Sequence, residues 1–284
     1  MEIKQITTND VREIITDRPA DMHKGQAGRI LFIAGSKGMA GAAVLAARGA
    51  IYSGAGLVKV SVPDELFHIL QCSVTEAMCI DREEAAKADL SVYDAICIGP
   101  GLGTGEDAMA LIHRVIADYK GPLVVDADGI NCLCKYRALA QIHERQGVTV
   151  FTPHPGEADR MLRALALESY KVMGRQRTAA ALAEATGAII LLKGHRTLIV
   201  SGQDAYENPT GNPGMATGGS GDVLSGIITS LLAQKHLDAE PVGRVNAAAF
   251  LHGLAGDIAA ENIGEYGMTA ADIADAVAAA FNAL

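Results

Sequence analysis

Several features that would place a chain in a broad functional class are missing from this one. It has no excess of positive charge: 24 Lys and Arg against 33 Asp and Glu leave a formal charge of −9 at neutral pH, which argues against a nucleic-acid surface. No apolar run approaches membrane-spanning length, and no basic stretch followed by an apolar one opens the chain. The expectation is therefore a soluble, cytoplasmic protein with no nucleic-acid and no membrane partner. Among the five cysteines, Cys72, Cys79, Cys97, Cys132 and Cys134, there is no CxxC pair, and their odd number suits free thiols better than disulfides or zinc. Gly-Lys never occurs as a dipeptide, which removes the P-loop and its lysine. Repeats and low-complexity segments are absent as well.

What is present is a rhythm. From Arg29 onward, apolar runs of five to seven residues alternate with helical patterns: RILFIAG, LVKVSV, DAICIG, PLVVDAD, VTVFT, AIILLKG and RTLIVSG. Continuous apolar strands separated by helices need cover on both faces, so the pattern predicts a doubly wound α/β fold with a mostly parallel sheet. Helices are expected over 9–15, 41–53, 64–71, 106–119 and 131–145, then in a long region ending at Thr186, and finally in three C-terminal segments. The residues that break the rhythm fall directly after strands: Gly35 to Gly38, Gly99 to Gly103, Asp126 to Asp128, Thr152 to Pro155 and Lys193-Gly194. In a parallel sheet these positions share the carboxyl edge, where open α/β folds bind ligands.

The densest such stretch is GNPGMATGGSGDVLSG, 211–226, with glycines at 211, 214, 218, 219 and 221 before the first apolar residues of a helix. Val223, Leu224, Ile227, Ile228, Leu231 and Leu232 recur at helical spacing, which predicts a buried helix from about Asp222. Uncovered amides and the positive end of that helix make an anion site. A carboxylate there, Asp222, is either the helix cap or a base that accepts a hydroxyl proton during phosphoryl transfer. His154, between two prolines, could bond a ligand or stand in a rigid turn. Lys193 could reach a phosphate or pair with a buried carboxylate.

Two further readings stay open on these residues. Gly103-Thr104-Gly105-Glu106-Asp107-Ala108 fits the dinucleotide fingerprint GxGxxA after a strand, with Asp126 closing the next strand about 20 residues on, as an NAD(P)-dependent oxidoreductase would have it. A nucleotide sensor that does no chemistry is the third reading. Neither uses the stretch from Gly211 to Asp222.

Taken together, AGSKGMAGAA (34–43), GPGLG (99–103), DADGIN (126–131), TPHPGE (152–157), KGHRT (193–197) and NPTGNPGMATGGSGD (208–222) resemble the ADP- or ATP-dependent NAD(P)H-hydrate dehydratases. These are ribokinase-like enzymes of metabolite repair, and the likeness runs from about His23 to the C-terminus. The resemblance implies one ribokinase-like α/β domain over 1–284, with no fused epimerase. It implies that a nucleotide phosphorylates the hydroxyl of the S form of hydrated NADH or NADPH, and that loss of phosphate restores the reduced nicotinamide. A ribokinase-like small-molecule kinase, which would release a stable ester, is the alternative within the same fold. Carried onto this chain, Asp222 matches the catalytic base, and Gly219, Ser220 and Gly221 the anion hole. Ala42, Ala43, Gly101, Gly103 and His154 would touch the hydrate together with Asp222. Lys193, Gly194, His195, Arg196, Thr197, Asn212 and Gly221 would line ADP or ATP. Also implied are Mg2+ on the phosphates, a homo-oligomer, commonly a tetramer, and an NAD(P)H-hydrate epimerase on a separate chain as functional partner. The family usually reads DADALN where this chain has DADGIN.

Overall fold

Strands rich in Val, Ile and Leu form the centre of the molecule because both of their faces can be buried, and the computed structural model describes residues 1–284. Its elements in chain order are β1 (Ile3–Gln5), α1 (Thr8–Ile14), β2 (Arg29–Ile33), α2 (Ala40–Tyr52), β3 (Leu57–Ser61), α3 (Phe67–Ser73), β4 (Met78–Ile80), α4 (Arg82–Lys87), β5 (Ala95–Ile98), α5 (Glu106–Asp118), β6 (Leu123–Val125), α6 (Asp128–Lys135), β7 (Thr149–Phe151), α7 (Pro155–Ala164), α8 (Tyr170–Thr186), β8 (Ile189–Leu192), β9 (Leu198–Ser201), β10 (Asp204–Glu207), α9 (Ser220–Ala233), α10 (Pro241–Ile263) and α11 (Ala270–Asn282).

The ten strands form one sheet in the order β1-β10-β9-β8-β7-β6-β5-β2-β3-β4. From β4 to β8 every neighbouring pair is parallel, while β9 runs antiparallel to both β8 and β10. Side chains alternate between two cores, as a pleated strand requires. Ile30 and Phe32 of β2 join the core under α2, α9, α10 and α11, and Leu31 and Ile33 join the one under α5 to α8. The expected doubly wound α/β architecture is therefore present. The chain leaves β2 toward β3 and β4 on one side and returns to β5 on the other, so the topological switch point lies between the carboxyl ends of β2 and β5.

Three boundaries differ from the sequence expectation. The segment 131–145 is not one helix: α6 ends at Lys135, Arg137 takes a left-handed backbone (φ 55°), and Leu139–Glu144 continues as a 3-10 turn. The long region before Thr186 is divided into α7 and α8, and α8 is itself broken by the non-helical backbone of Gly174 (φ 70°). The helix of the glycine-rich stretch starts at Ser220 rather than Asp222, because Gly219 (φ 95°) supplies the left-handed turn that begins it.

α9 and α2 cross in contact at glycine. A Cβ at Gly226 would lie 2.1 Å from the Ala46 carbonyl oxygen, and one at Gly49 would lie 2.4 Å from the Val223 carbonyl oxygen. This predicts opposite signs for one substitution at two helical sites. Gly41→Ala, on the exposed first turn of α2 with nothing within 4 Å, should raise stability by up to about 1 kcal/mol through helix propensity. Gly226→Ala should lower it by roughly 1–3 kcal/mol because backbone must move. Urea midpoints of the two variants check this, and equal shifts would rule out the close crossing.

Candidate active site

The loops that follow β2 and β5 meet at the switch point. The Gly35 N–H donates to the Pro100 carbonyl at 2.7 Å. Gly101 (φ 59°) lies so close to the first turn of α2 that a Cβ there would sit 2.9 Å from both the Ala42 Cβ and the Met39 carbonyl oxygen. A Cβ at Gly35 would approach the Ala43 Cβ to 3.2 Å. The Gly103 N–H donates to Asp128 Oδ2 at 2.8 Å. Ala42, Ala43 and Gly101 are thus packed together at the switch point, with Gly103 two residues further along the same loop. Arg82 braces the loop after β2, donating to the carbonyls of Ala34 at 3.0 Å and Gly35 at 2.5 Å. Burial pushes that guanidinium down to about 10, still well above neutrality.

After β6 the chain makes a tight turn, closed by the Gly129 N–H donating to the Asp126 carbonyl at 2.9 Å. Its second residue is Ala127, with φ 47° and ψ −115°, the geometry of the first central position of a type II′ turn, which glycine normally fills. The turn sends the flanking carboxylates to different partners. Asp126, 1% exposed, accepts from the Lys193 ammonium at 3.0 Å, while Asp128 accepts from Gly103. Gly129 lets α6 start against β5: a Cβ there would be 2.7 Å from the Ile98 carbonyl oxygen.

Asp222 is the third residue of α9, not its cap; Gly219 occupies the cap position, and the Asp222 carboxylate makes no hydrogen bond. The N–H groups of Gly219, Gly221 and Asp222 find no acceptor within the protein, so the first turn offers three free donors where the helix dipole is positive. Burial raises the Asp222 carboxyl to about 7; the negative charge of Asp126 adds to this, and the positive charge of Lys193 opposes it. A carboxylate held near neutrality and free of hydrogen bonds is suited to exchange a proton with a ligand.

On the other side of α9's first turn lies a cavity of about 740 Å³. It is lined by Lys193, Gly194, His195, Arg196, Thr197, Asn212 and Gly221, the whole set expected for the nucleotide, and also by Ser220 and His154. The loop 208–219 is seated on α10. The buried Asn208 amide donates to the Ala249 carbonyl at 3.0 Å, and the Thr210 hydroxyl to that of Phe250 at 2.8 Å. The Asp257 carboxylate receives the Gly211 N–H and the Asn212 Nδ2, each at 2.9 Å. The buried His252 holds the Ser220 carbonyl through Nε2 at 2.9 Å, and burial lowers its pKa to about 4, so the ring is neutral. Arg175 of α8 donates to the carbonyls of His195 and Arg196, fixing the 193–197 loop.

A family model described as NAD(P)H-hydrate dehydratase matches residues 30–279. The chain belongs to this family. It is 38% identical to the ADP-dependent (S)-NAD(P)H-hydrate dehydratase of Listeria monocytogenes over 264 residues, covering 91% of this chain and 90% of that one. It is 40% identical to a bifunctional NAD(P)H-hydrate repair enzyme of Moorella thermoacetica over 279 residues, 93% of this chain, but spans only 51% of that longer protein. Among solved structures, the ADP/ATP-dependent NAD(P)H-hydrate dehydratase of Bacillus subtilis, co-crystallised with ATP and Mg2+, superposes with a TM-score of 0.86 at 30% identity, covering 100% of this chain and 99% of that one. The fold of this dehydratase-family chain is ribokinase-like.

Family membership and geometry together displace the oxidoreductase reading. The carboxylate that would have to meet a ribose, Asp126, is buried against Lys193, and Gly103 gives its N–H to Asp128. His154 lines the same cavity as the 193–197 loop. Its Nδ1 accepts from the N–H groups of Gly156 and Glu157 at 3.0 and 3.4 Å, capping α7. Lys193 pairs with buried carboxylates, Glu157 Oε2 at 3.9 Å being the second partner, and also lines the cavity. Burial pulls its pKa down, but the two carboxylates outweigh that and leave it raised. Arg82, Arg175, His252 and Asp257 were not visible in the sequence. Each is one polar residue on a helix whose partner is a distant loop, and the only hint was a charge or a ring within an apolar face.

Two expectations follow. With Asp222 as the proton acceptor, kcat/KM should climb as pH rises through about 7 and level off above it. Because the folded-state pKa lies above the value of about 3.9 for an unfolded Asp, the stabilisation it brings is present below that value and lost as pH rises through about 7. Asp222→Asn should therefore melt higher than the parent at pH 8, with the gap closing toward pH 4; melting curves across that range read the sign. Separately, Lys193→Met leaves two carboxylates without their cation and should cost roughly 3–5 kcal/mol in urea unfolding, with nucleotide affinity per folded molecule only partly reduced.

Proposed function

We propose that this chain is a nucleotide-dependent (S)-NAD(P)H-hydrate dehydratase that restores NADH and NADPH, with the chemistry centred on Asp222. The observation that carries the residue assignment is the position of Asp222: an unpaired carboxylate raised to about 7, beside three free amides, on the helix turn whose Ser220 and Gly221 line the large cavity. The names and solved structure of the relatives support ADP or ATP as the co-substrate.

In this reading the hydrated ring enters the crevice bordered by Ala42, Ala43, Gly101 and Gly103, and ADP or ATP fills the cavity along Lys193 to Thr197, Asn212 and Gly221. Asp222 takes the proton of the ring hydroxyl as its oxygen attacks the terminal phosphorus, and the bond from phosphorus to the departing nucleotide breaks. The N–H groups of Gly219, Gly221 and Asp222 receive the charge on the moving phosphoryl group, a role for which preoriented amides need no reorganisation. The new phosphate ester sits on a carbon next to the ring nitrogen. The lone pair of that nitrogen expels phosphate, and loss of a ring proton restores the dihydropyridine. Magnesium, which the resemblance implies, would sit on the nucleotide phosphates and neutralise their charge there.

The wider context follows the same reading. This chain spans about half the length of the bifunctional relatives, and we propose an NAD(P)H-hydrate epimerase as its functional partner. All five cysteines are free thiols, in keeping with work in the cytoplasm. We also place the chain in a homotetramer, by resemblance.

Purified protein mixed with NADPH hydrate, magnesium and ADP or ATP should restore the near-ultraviolet absorbance of the reduced nicotinamide while consuming an equal amount of nucleotide. Asp222→Asn should lower that rate by about 10²–10⁴, on the order of 3–5 kcal/mol of barrier, with nucleotide binding retained. A stable phosphate ester on some other alcohol, with the hydrate untouched, would turn the assignment to a small-molecule kinase.

A further inference from the structure

Beside the hydrate crevice, between α6 and α7, lies a second hollow of about 510 Å³ whose polar lining is almost entirely cationic: Lys135, Arg137, Arg160 and Arg163, with Asn131 at its rim. In a chain of net charge −9, four of 24 basic residues converge there. Only Arg163 has an acidic partner, Asp159; Lys135, Arg137 and Arg160 form no ion pair. With Asp159 the one acidic side chain paired there, the excess of positive charge raises the energy of the free protein and favours an anionic ligand.

The hollow is tied to the crevice through one face of α6. Asp128, Asn131 and Lys135 are spaced i, i+3 and i+7 and share that face. Asp128 holds the Gly103 N–H; its other oxygen accepts from Asn131 Nδ2 at 3.2 Å; and the Lys135 ammonium donates to the Thr104 carbonyl at 2.7 Å, on the same loop as Gly103. From Asp128 to Lys135 is about 10 Å along the helix. A dinucleotide whose reacting ring sits in the crevice must lay its riboses and phosphates outside it. The cavity on the far side of α9 shares no lining residue with this hollow and is committed to the phosphoryl donor.

We propose that the Lys135, Arg137, Arg160 and Arg163 hollow binds the phosphate groups of the hydrated dinucleotide, an inference that rests on the dehydratase reading and adds a substrate subsite to it. Guanidinium forks match phosphate oxygens in pairs, and exposed arginines are free to close on them.

The double variant Arg137→Gln/Arg160→Gln tests this, since both side chains are exposed and the fold should be retained. With the nucleotide saturating, KM for NADPH hydrate should rise about tenfold or more, while kcat and the nucleotide KM stay unchanged. Arg137→Lys/Arg160→Lys should recover most of the loss. A rise confined to NADPH hydrate places the 2′-phosphate in the hollow, and an equal rise with NADH hydrate places the pyrophosphate there. If both KM values stay at the parental level while the parent turns over both hydrates, the subsite is wrong and the dehydratase reading stands. If the parent turns over neither hydrate, both fall together.

Discussion

One ammonium group joins the ends of three strands. Lys193 follows β8, Asp126 follows β6, and Glu157 opens the helix after β7; the ion pairs at 3.0 and 3.9 Å hold these three segments together at the carboxyl edge. The same Nζ lies against Gly221, where a Cβ would come within 3.1 Å, so the first turn of α9 is packed onto the charge as well. The strand ends, the helix start and the protonation of Asp222 therefore depend on a single contact set. With that positive charge absent, Asp126 and Glu157 would press on Asp222 unopposed and its carboxyl would rise further.

Charge alone does not position the reacting groups. The loop 208–219 contains four of the five glycines in the stretch and has little intrinsic preference for one shape. α10 imposes that shape. Gly253 leaves room for Thr210, since a Cβ there would stand 2.1 Å from its Oγ1, and Asp257 and His252 fasten the loop at Gly211, Asn212 and Ser220. The amides at the start of α9 are thus aimed by a helix that contributes none of them.

This division explains what could be read from the residues in advance. The buried parallel strands were legible because long apolar runs have no other stable home, and the loops after them because glycine and proline cluster where a strand must stop. β1, β4 and β10 were not, since a strand of three or four residues at or near an edge, whether polar like Asp204–Glu207 or apolar like Met78–Ile80, is too short to stand out as a run. The grouping of Lys193 to Thr197 with Asn212 and Gly221 followed from strand order and resemblance. The supports did not: nothing in the local sequence of Arg82 or Arg175 says that its guanidinium will cap the carbonyls of a loop far along the chain. Those contacts exist only after the sheet has brought helix and loop together.

The turn at Ala127 has a consequence of a different kind. Two carboxylates two residues apart serve opposite neighbours because the backbone between them reverses, and an L-residue holds that reversal at a cost of roughly 1–3 kcal/mol. Glycine would relieve it, yet would also widen the range of shapes open to the turn before any ligand arrives. Ala127 instead keeps the unfolded chain less diverse and the folded turn single-valued. Thermodynamic comfort and geometric fidelity are in opposition at this one residue, and the chain has settled on fidelity.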